Sequence, residues 1–140
     1  MPRRIIPDVI RGQKVVYLGR KASARRAAKL MRKHNVGAVL VMKGEDLEGI
    51  VTVSDMTYRV IADGLDPKNT TLGEIMTANP DTVGCQTTAI EALRLMHDGD
   101  YRHLPVVKDG HVVGLVSRRD FHGIEKARLD DETALWERIA

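Results

Sequence analysis

The chain has 140 residues, of which 43% are hydrophobic, 29% are charged and only 4% are aromatic. This length fits one compact domain with a core of aliphatic side chains, and no apolar run approaches the roughly 20 residues that a membrane span needs. The single cysteine, Cys85, excludes an internal disulfide and a cysteine-rich zinc site. The N-terminus lacks the pattern of a secretory signal, so a cytoplasmic, reducing location is the expectation.

The net charge of +3 conceals an uneven distribution. Residues 1–33 contain eleven lysines and arginines and one acid, whereas the remaining residues contain eleven basic and eighteen acidic side chains. Such a basic segment can mark a nucleic-acid-binding surface. More often it is a solvated helix face, which here could meet the acidic half of a second copy.

The sequence aligns with itself without gaps when Gly19 is placed on Gly84. Residues 19–56 then fall on residues 84–121, and ten of the 38 pairs are identical. The identities lie at periodic apolar positions, at glycines such as Gly49/Gly114, and at Asp55/Asp120. Self-similarity of this kind indicates one supersecondary unit used twice.

Each repeat is predicted to contain a short leading strand followed by a helix. Ser23 or Thr88 is the predicted N-cap, because its hydroxyl can accept from an unpaired N–H of the first turn. Glu91 completes a capping box with Thr88. Apolar residues follow at helical spacing, and the helices are predicted to end near Asn35 and near Asp98–Gly99, which tolerate left-handed backbone.

Two strands joined by a tight turn follow each of these helices. The predicted strands are residues 38–42 and 47–53 in the first repeat and residues 104–107 and 112–116 in the second. Asp109-Gly110 between the last two is a strong hairpin signal. Asp55 or Asp120 then opens a second helix, predicted over 54–64 or 118–126. The predicted fold class is therefore α/β (α+β), with two β-α-β-β-α repeats.

A connector is predicted between the repeats. Gly64 and Pro67 stop the preceding helix, and Thr71-Leu-Gly-Glu74 is a capping box that starts a short helix through Met76. Asn79-Pro80 is expected to force an extended chain. The predicted organisation is an N-terminal arm and first repeat over 1–64, the connector over 65–81, the second repeat over 82–124 and an amphipathic tail over 125–140.

The repeated segments resemble CBS (cystathionine β-synthase) domains. The residues that carry the resemblance are Ile75-Met-Thr77, Tyr101-Arg-His-Leu-Pro-Val-Val107, Gly114-Leu-Val-Ser-Arg-Arg-Asp120, and the weaker counterparts Asn35-Val-Gly-Ala-Val-Leu-Val41 and Gly49-Ile-Val-Thr-Val-Ser-Asp55. Over roughly residues 14–125 the chain is similar to a stand-alone tandem pair of these domains, a Bateman module.

This resemblance implies two repeats packed sheet to sheet around a pseudo-two-fold axis, with clefts between them. Such clefts commonly bind adenosine nucleotides: AMP, ADP, ATP, S-adenosylmethionine or NAD. The family generally acts as an energy or nucleotide sensor, and two modules often pair as a homodimer. We therefore expect an adenine nucleotide as ligand, AMP first, with no catalytic cofactor.

Ser117-Arg-Arg-Asp120, at a strand-to-helix junction, is the main candidate site. A hydroxyl and a helix N-terminus suit a phosphate, and Arg118 and Arg119 can add bidentate contacts. The carboxylate of Asp120 can accept from the two hydroxyls of a ribose. The group therefore fits a ribose-phosphate, and the alternative is an ordinary N-cap.

Thr52-Val-Ser-Asp55 is the first-repeat equivalent. It keeps the hydroxyl of Thr52 and the carboxylate of Asp55 but has no arginine. A phosphate there has to be met by the helix terminus, by Lys21 or by a basic residue from elsewhere. The two sites are therefore predicted to be unequal, with the tighter site for phosphorylated ligands at Asp120.

Residues just before the second strand join the candidate site through the resemblance. Arg102 is expected to meet phosphate, and Tyr101 or His103 to border the adenine. The alternative is that the Tyr101 ring packs and Arg102 is solvated. The resemblance also brings in Pro105 and, from its own motif, Thr77.

The matching first-repeat positions, Val36, Gly37 and Ala38, are small and apolar, which leaves room for a planar base. Leu40 stands where the second repeat has Pro105, which weakens the transfer of roles to the first repeat. The five histidines show no metal-ligand spacing, so no metal site is expected.

Three classes of function follow: a non-catalytic nucleotide sensor, a nucleic-acid-binding module that uses the basic N-terminal third, and a ligand-free interaction module in which the aspartates only cap helices. An enzyme is not expected, because no acid–base or nucleophile set is visible.

In the tail, Leu135, Trp136 and Ile139 lie at helical spacing, and Trp136 is the expected anchor on a partner subunit or on the module itself. The regulated partner protein stays unidentified.

Overall fold

The computed structural model describes residues 15–121 together with Arg4. These residues form two units, one from residues 15–80 and the other from residues 81–121 with Arg4. The predicted tail over 125–140, and the arm apart from Arg4, lie outside the described residues.

The first unit is a four-stranded sheet in the order β1-β2-β3-β4 with helices on one face. Its elements are β1 (Tyr17–Leu18), α1 (Ala24–His34), β2 (Ala38–Lys43), β3 (Asp46–Thr52), α2 (Val53–Asp55) continuing as a π-helical segment (Met56–Ile61), α3 (Leu72–Ile75) and β4 (Thr77–Ala78). Strand β1 runs parallel to β2, and the other two pairs are antiparallel. The core forms where α1, the π-helical segment and α3 bury their apolar residues against the strands.

The second unit is a three-stranded sheet in the order β5-β6-β7. Its elements are β5 (Val83–Gly84), α4 (Ala89–Gly99), β6 (His103–Lys108), β7 (His111–Ser117) and a single 3-10 turn (Arg118–Asp120). Buried residues of α4, including Leu93 and Met96, pack on Val106 and Val116. The mixed sheets and helices of the two units confirm the predicted fold class.

Matching elements of the two units keep the register of the sequence repeat. Helices α1 and α4, strands β2 and β6, and strands β3 and β7 begin and end at matching positions. Even the irregularity in strand pairing between Val41 and Met42 recurs between Val106 and Val107. The internal repeat read from the sequence is therefore a repeat of backbone geometry.

The predicted helix starts are confirmed. The Ser23 hydroxyl accepts from the Arg26 N–H at 3.1 Å. In the Thr88 capping box the Thr88 N–H donates to Glu91 at 3.0 Å, and the Glu91 N–H donates to Thr88 Oγ1 at 3.3 Å. Asn35 ends α1 with a φ of 53°, as predicted.

Helix α4 ends at Gly99, as predicted, and the left-handed residue that caps it is Asp100, with a φ of 55°. Two local predictions are corrected. The helix predicted over 118–126 is a single turn within the described residues, because Phe121 is extended and places its ring in the core. Asn79 is left-handed, with a φ of 50°, although Pro80 follows. Its N–H donates to the Glu48 carbonyl at 3.0 Å, and this bond holds the conformation.

The segment predicted as a connector contributes to the first unit. Leu72 and Ile75 of α3 are buried in its core, and β4 pairs with β3. The Thr71–Glu74 capping box is present, with the Thr71 N–H donating to Glu74 at 2.6 Å. Arg4, from the arm grouped with the first repeat, instead donates to the Gln86 carbonyl at 2.7 Å in the second unit.

Candidate functional site

In the second unit, the junction after β7 places a hydroxyl beside a carboxylate. The Ser117 N–H donates to Asp120 Oδ2 at 2.7 Å, so the carboxylate folds back onto the start of the turn. Ser117 Oγ is buried and faces the Asp120 N–H in a capping box, but it makes no hydrogen bond of ordinary length and angle among the described residues. The next N–H, of Arg118, donates to the Arg102 carbonyl at 2.8 Å. This bond links the residue just before β6 to the junction after β7.

The first unit repeats the arrangement after β3. The Thr52 N–H and hydroxyl donate to Asp55 Oδ2 at 2.8 and 3.1 Å, and the Asp55 N–H donates to Thr52 Oγ1 at 3.2 Å. The Val53 N–H donates to the Gly37 carbonyl at 3.0 Å. Thr52 and Gly37 are therefore brought together, as Ser117 and Arg102 are in the second unit.

Both aspartates cap their helical turns, which is what the ordinary N-cap alternative predicts. In Asp120 the bond to the Ser117 N–H uses Oδ2, and a carboxylate offers about four acceptor sites on its two oxygens. Capping and sugar binding are therefore compatible in the same side chain. A helix-dipole contribution is small at Asp120, because only one 3-10 turn follows Ser117 within the described residues.

Tyr101 is engaged in packing. Its ring lies where a Cβ on Gly99 would stand, and its hydroxyl donates to Asp81 Oδ2 at 2.9 Å. Burial, followed by the contact with Asp81, raises the pKa of Tyr101 to about 12. This placement matches the packed alternative considered for the ring.

Charges converge on His103 at the start of β6. Burial lowers the pKa of its imidazole, and nearby Arg119 lowers it further, while Asp120 acts in the opposite direction. Arg102 is exposed and also contributes to the lowered pKa. The structure thus brings Arg102, His103, Arg119 and Asp120 into one electrostatic neighbourhood.

The other predicted residues are placed as follows. Pro105 is buried and pairs with Leu115, and Ala38 is buried opposite Thr52. Val36 lies at the end of α1, where its N–H donates to the Met31 carbonyl at 3.0 Å. Thr77 is exposed on β4, and Lys21 is exposed in the loop before α1.

Arg59 was not among the predicted residues, yet it lies against Asp55. Its Nε is 3.6 Å from Asp55 Oδ1, and its Nη1 donates to the carbonyls of Ile75 and Met76 at 2.9 and 3.2 Å. The signal was present in the sequence, because a carboxylate and an arginine four residues apart on a helix face each other.

An open groove of about 520 Å³ lies elsewhere in the second unit, between β5 and the outer face of α4. Glu91, Arg94 and Asp98 line it, and none of the predicted nucleotide-binding residues does. Residues 15–121 and Arg4 contain no group of three metal-ligating side chains that could hold an ion. In the same part of the chain, every helix is too short or too polar to cross a membrane.

Comparison with known proteins gives consistent matches. The model of the CBS domain family matches twice, over residues 8–62 and 72–123. CBS domain-containing protein CBSCBSPB3 of Arabidopsis thaliana is 41% identical over 91 residues, which cover 64% of this chain and 16% of that protein. The chain spans between 16% and 48% of the length of three such curated relatives.

Solved structures show the same fold. A protein with CBS domains from Burkholderia ambifaria, named for signal transduction, is 35% identical with a TM-score of 0.75, over 78% of this chain and 80% of that one. A CBS domain protein from Pyrobaculum aerophilum, complexed with AMP, is 26% identical with a TM-score of 0.76, over 89% of this chain and 95% of that one. With two matched repeats and the duplicated backbone, the chain belongs to the CBS domain family as a tandem pair, a Bateman module.

Proposed function

We propose that this chain is a non-catalytic regulatory module that binds an adenosine nucleotide, with AMP as the first ligand to test. The observation that carries the proposal is the buried Ser117 hydroxyl, without an ordinary hydrogen bond among the described residues, beside a carboxylate with accepting capacity to spare. A buried hydroxyl without a partner costs free energy, and a bound sugar-phosphate would supply one.

The surrounding charges suit the phosphate. Arg102 and Arg119 both act electrostatically on His103, as Asp120 does. Guanidinium groups bind phosphate through strong charge-assisted hydrogen bonds, and Asp120 is left for the ribose hydroxyls. The related Pyrobaculum protein complexed with AMP supports this choice of ligand. ADP, ATP, NAD and S-adenosylmethionine share the adenosine and are tested beside it.

Calorimetric titration with these ligands tests the proposal. Asp120→Asn keeps an acceptor for the Ser117 N–H but loses the charge and part of the accepting capacity, so we expect affinity at that site to fall about tenfold. Asp46→Asn, an exposed aspartate at the start of β3, is the matched control and should bind as the wild type does. A wild-type protein that binds none of the five ligands contradicts the proposal.

Regulation follows if the ligand shifts the module between two populated arrangements that a partner distinguishes. We propose a second copy of the chain as the first such partner. The measurement is sedimentation over a range of chain concentrations with and without AMP, and a chain that stays monomeric under all of these conditions excludes the homodimer.

One observation favours nucleic-acid binding as a second candidate. The exposed face of α1 carries five basic side chains and no acid: Arg25, Arg26, Lys29, Arg32 and Lys33. Contacts of such residues with phosphates release counterions, so affinity falls steeply with salt. A gel shift with RNA and DNA at low and moderate salt tests it, and the absence of a shift at low salt excludes it.

A further inference from the structure

We infer that Arg59 supplies the phosphate-binding guanidinium of the first-repeat site, whose motif from Thr52 to Asp55 contains no arginine. The inference rests on the proposed nucleotide-binding function and adds to it a residue that determines preference for a phosphorylated ligand. Arg59 lies one helical turn beyond Asp55, with its Nε 3.6 Å from Oδ1 of the carboxylate.

The guanidinium of Arg59 is held in place on one side. Its Nη1 donates to two successive carbonyls, of Ile75 at 2.9 Å and of Met76 at 3.2 Å, at the end of α3. These carbonyls belong to a segment that β4 fixes to β3. Two bonds to main-chain atoms and an ion pair with Asp55 restrict the side chain to this position before any ligand arrives.

The other side of the guanidinium is open. The Arg59 side chain is 49% exposed, whereas that of Asp55 is 13% exposed. Arginine has five N–H donors, and the contacts with Asp55, Ile75 and Met76 use Nε and Nη1, which leaves Nη2 for a ligand. An anion held near Asp55 would therefore meet a donor that is already oriented, which reduces the ordering cost of binding.

The two repeats differ in where their arginines stand. In the register that places Gly19 on Gly84, Arg59 falls on Ile124. In the same register Arg118 and Arg119 fall on Val53 and Ser54. Each repeat thus has an arginine close to its aspartate in sequence, four residues after Asp55 in the first repeat and immediately before Asp120 in the second. Arg59 thus takes, in the first repeat, the phosphate-binding role that Arg118 and Arg119 are predicted to have in the second.

The test uses the full chain with Asp120→Ala, which disables the second-repeat site and leaves the first to be titrated. AMP and adenosine are compared, because they differ only in the phosphate. With Arg59→Gln, AMP affinity should fall about tenfold or more, as expected for the loss of a charged hydrogen bond. Adenosine affinity should stay within about twofold. Arg59→Lys should restore part of the preference for AMP, since it keeps the charge without the fork.

Lys43→Gln, at an exposed position at the end of β2, removes one positive charge away from the site and should change neither affinity. Arg59→Gln overturns the inference if AMP and adenosine weaken equally, which is the result for a purely structural tie, or if AMP affinity is unchanged. Thermal unfolding of each variant separates loss of fold from loss of binding; if the glutamine variant is unfolded, the lysine variant carries the comparison, and an unchanged preference for AMP over adenosine in it counts against the inference.

A chain without the proposed function and a chain without the Arg59 site give different binding results. If the wild-type chain binds no adenosine ligand, the proposed function is wrong. If the wild type binds AMP but the Asp120→Ala chain does not, the proposed function stands and the first-repeat site assigned to Arg59 is wrong.

Discussion

Gly49 is the point at which β4 approaches β3 too closely for a side chain. A Cβ added to Gly49 would lie 2.9 Å from the Thr77 carbonyl oxygen and 2.5 Å from Met76 Sδ. The methionine is flexible and can move, but the carbonyl belongs to β4, which pairs with β3. Gly49→Ala therefore has to displace main chain.

The expected loss follows from two opposing contributions. Overpacking of a filled site costs about 1–3 kcal/mol, and alanine recovers about 0.5–1 kcal/mol over glycine in a strand. We predict a net loss of about 1–2 kcal/mol in the free energy of unfolding, with a fall of roughly 4–8 °C in Tm. Urea unfolding and thermal circular dichroism measure the two quantities.

Gly84 provides the matched control. It also lies in a strand, but a Cβ there would meet no atom within 4 Å. Gly84→Ala should leave stability unchanged or raise it slightly. Adding Met76→Ala to Gly49→Ala should restore only part of the loss, because the Thr77 carbonyl remains in the way. Equal stabilities for the two alanine variants would refute the reasoning.

Three further predictions concern the second unit. Tyr101→Phe removes the hydrogen bond to Asp81 and should cost about 1 kcal/mol; because folding raises the pKa of Tyr101 to about 12, the wild type should lose stability as pH rises from 10 to 12, and the phenylalanine variant should lose less in alkaline urea titrations. His103 should titrate below its usual 6.5 by NMR; because folding lowers this pKa, the wild type should lose stability as pH falls below 6.5, and a His103→Gln variant that loses as much contradicts the assignment. Thr88→Ala should cost about 1 kcal/mol in urea unfolding, and Glu91→Gln less, since an amide still accepts from the Thr88 N–H; a reversed order would argue against the capping box.

Local chemistry made much of the fold predictable. The caps at Ser23 and Thr88 depend on residues within one turn, so a single sequence specifies them. The Asp109-Gly110 hairpin is also local, with both residues at positive φ as a type I′ turn requires. Aligning the two repeats then allowed helices and strands that were clear in one half of the chain to be assigned in the other half.

The wrong predictions concern residues whose conformation is decided by distant contacts. Nothing near Phe121 in sequence shows that its ring belongs in a core built from α4, β6 and β7. Asn79 departs from the usual preference before proline because Glu48, on another strand, accepts from its N–H. These conformations depend on tertiary structure, which local propensity does not contain.

The hydroxyls and carboxylates of the candidate site could be predicted from the sequence, but not all of its arginines could. Thr52 and Asp55 occupy the same positions in a short repeated motif as Ser117 and Asp120, so the alignment of the two repeats identified both pairs. Arg59 lies outside that motif, and its bonds to Ile75 and Met76 bring together residues far apart in sequence. Only its spacing of four from Asp55 was visible, and that spacing is common on solvated helices.

The matching backbones of the two units make the molecule its own reference system for protein engineering. Because β3 and β7 end at equivalent positions with equivalent caps, the four residues from 52 to 55 and those from 117 to 120 can be exchanged without designing a new loop. A chain given the same tetrapeptide in both halves would separate what the motif contributes from what its neighbourhood contributes.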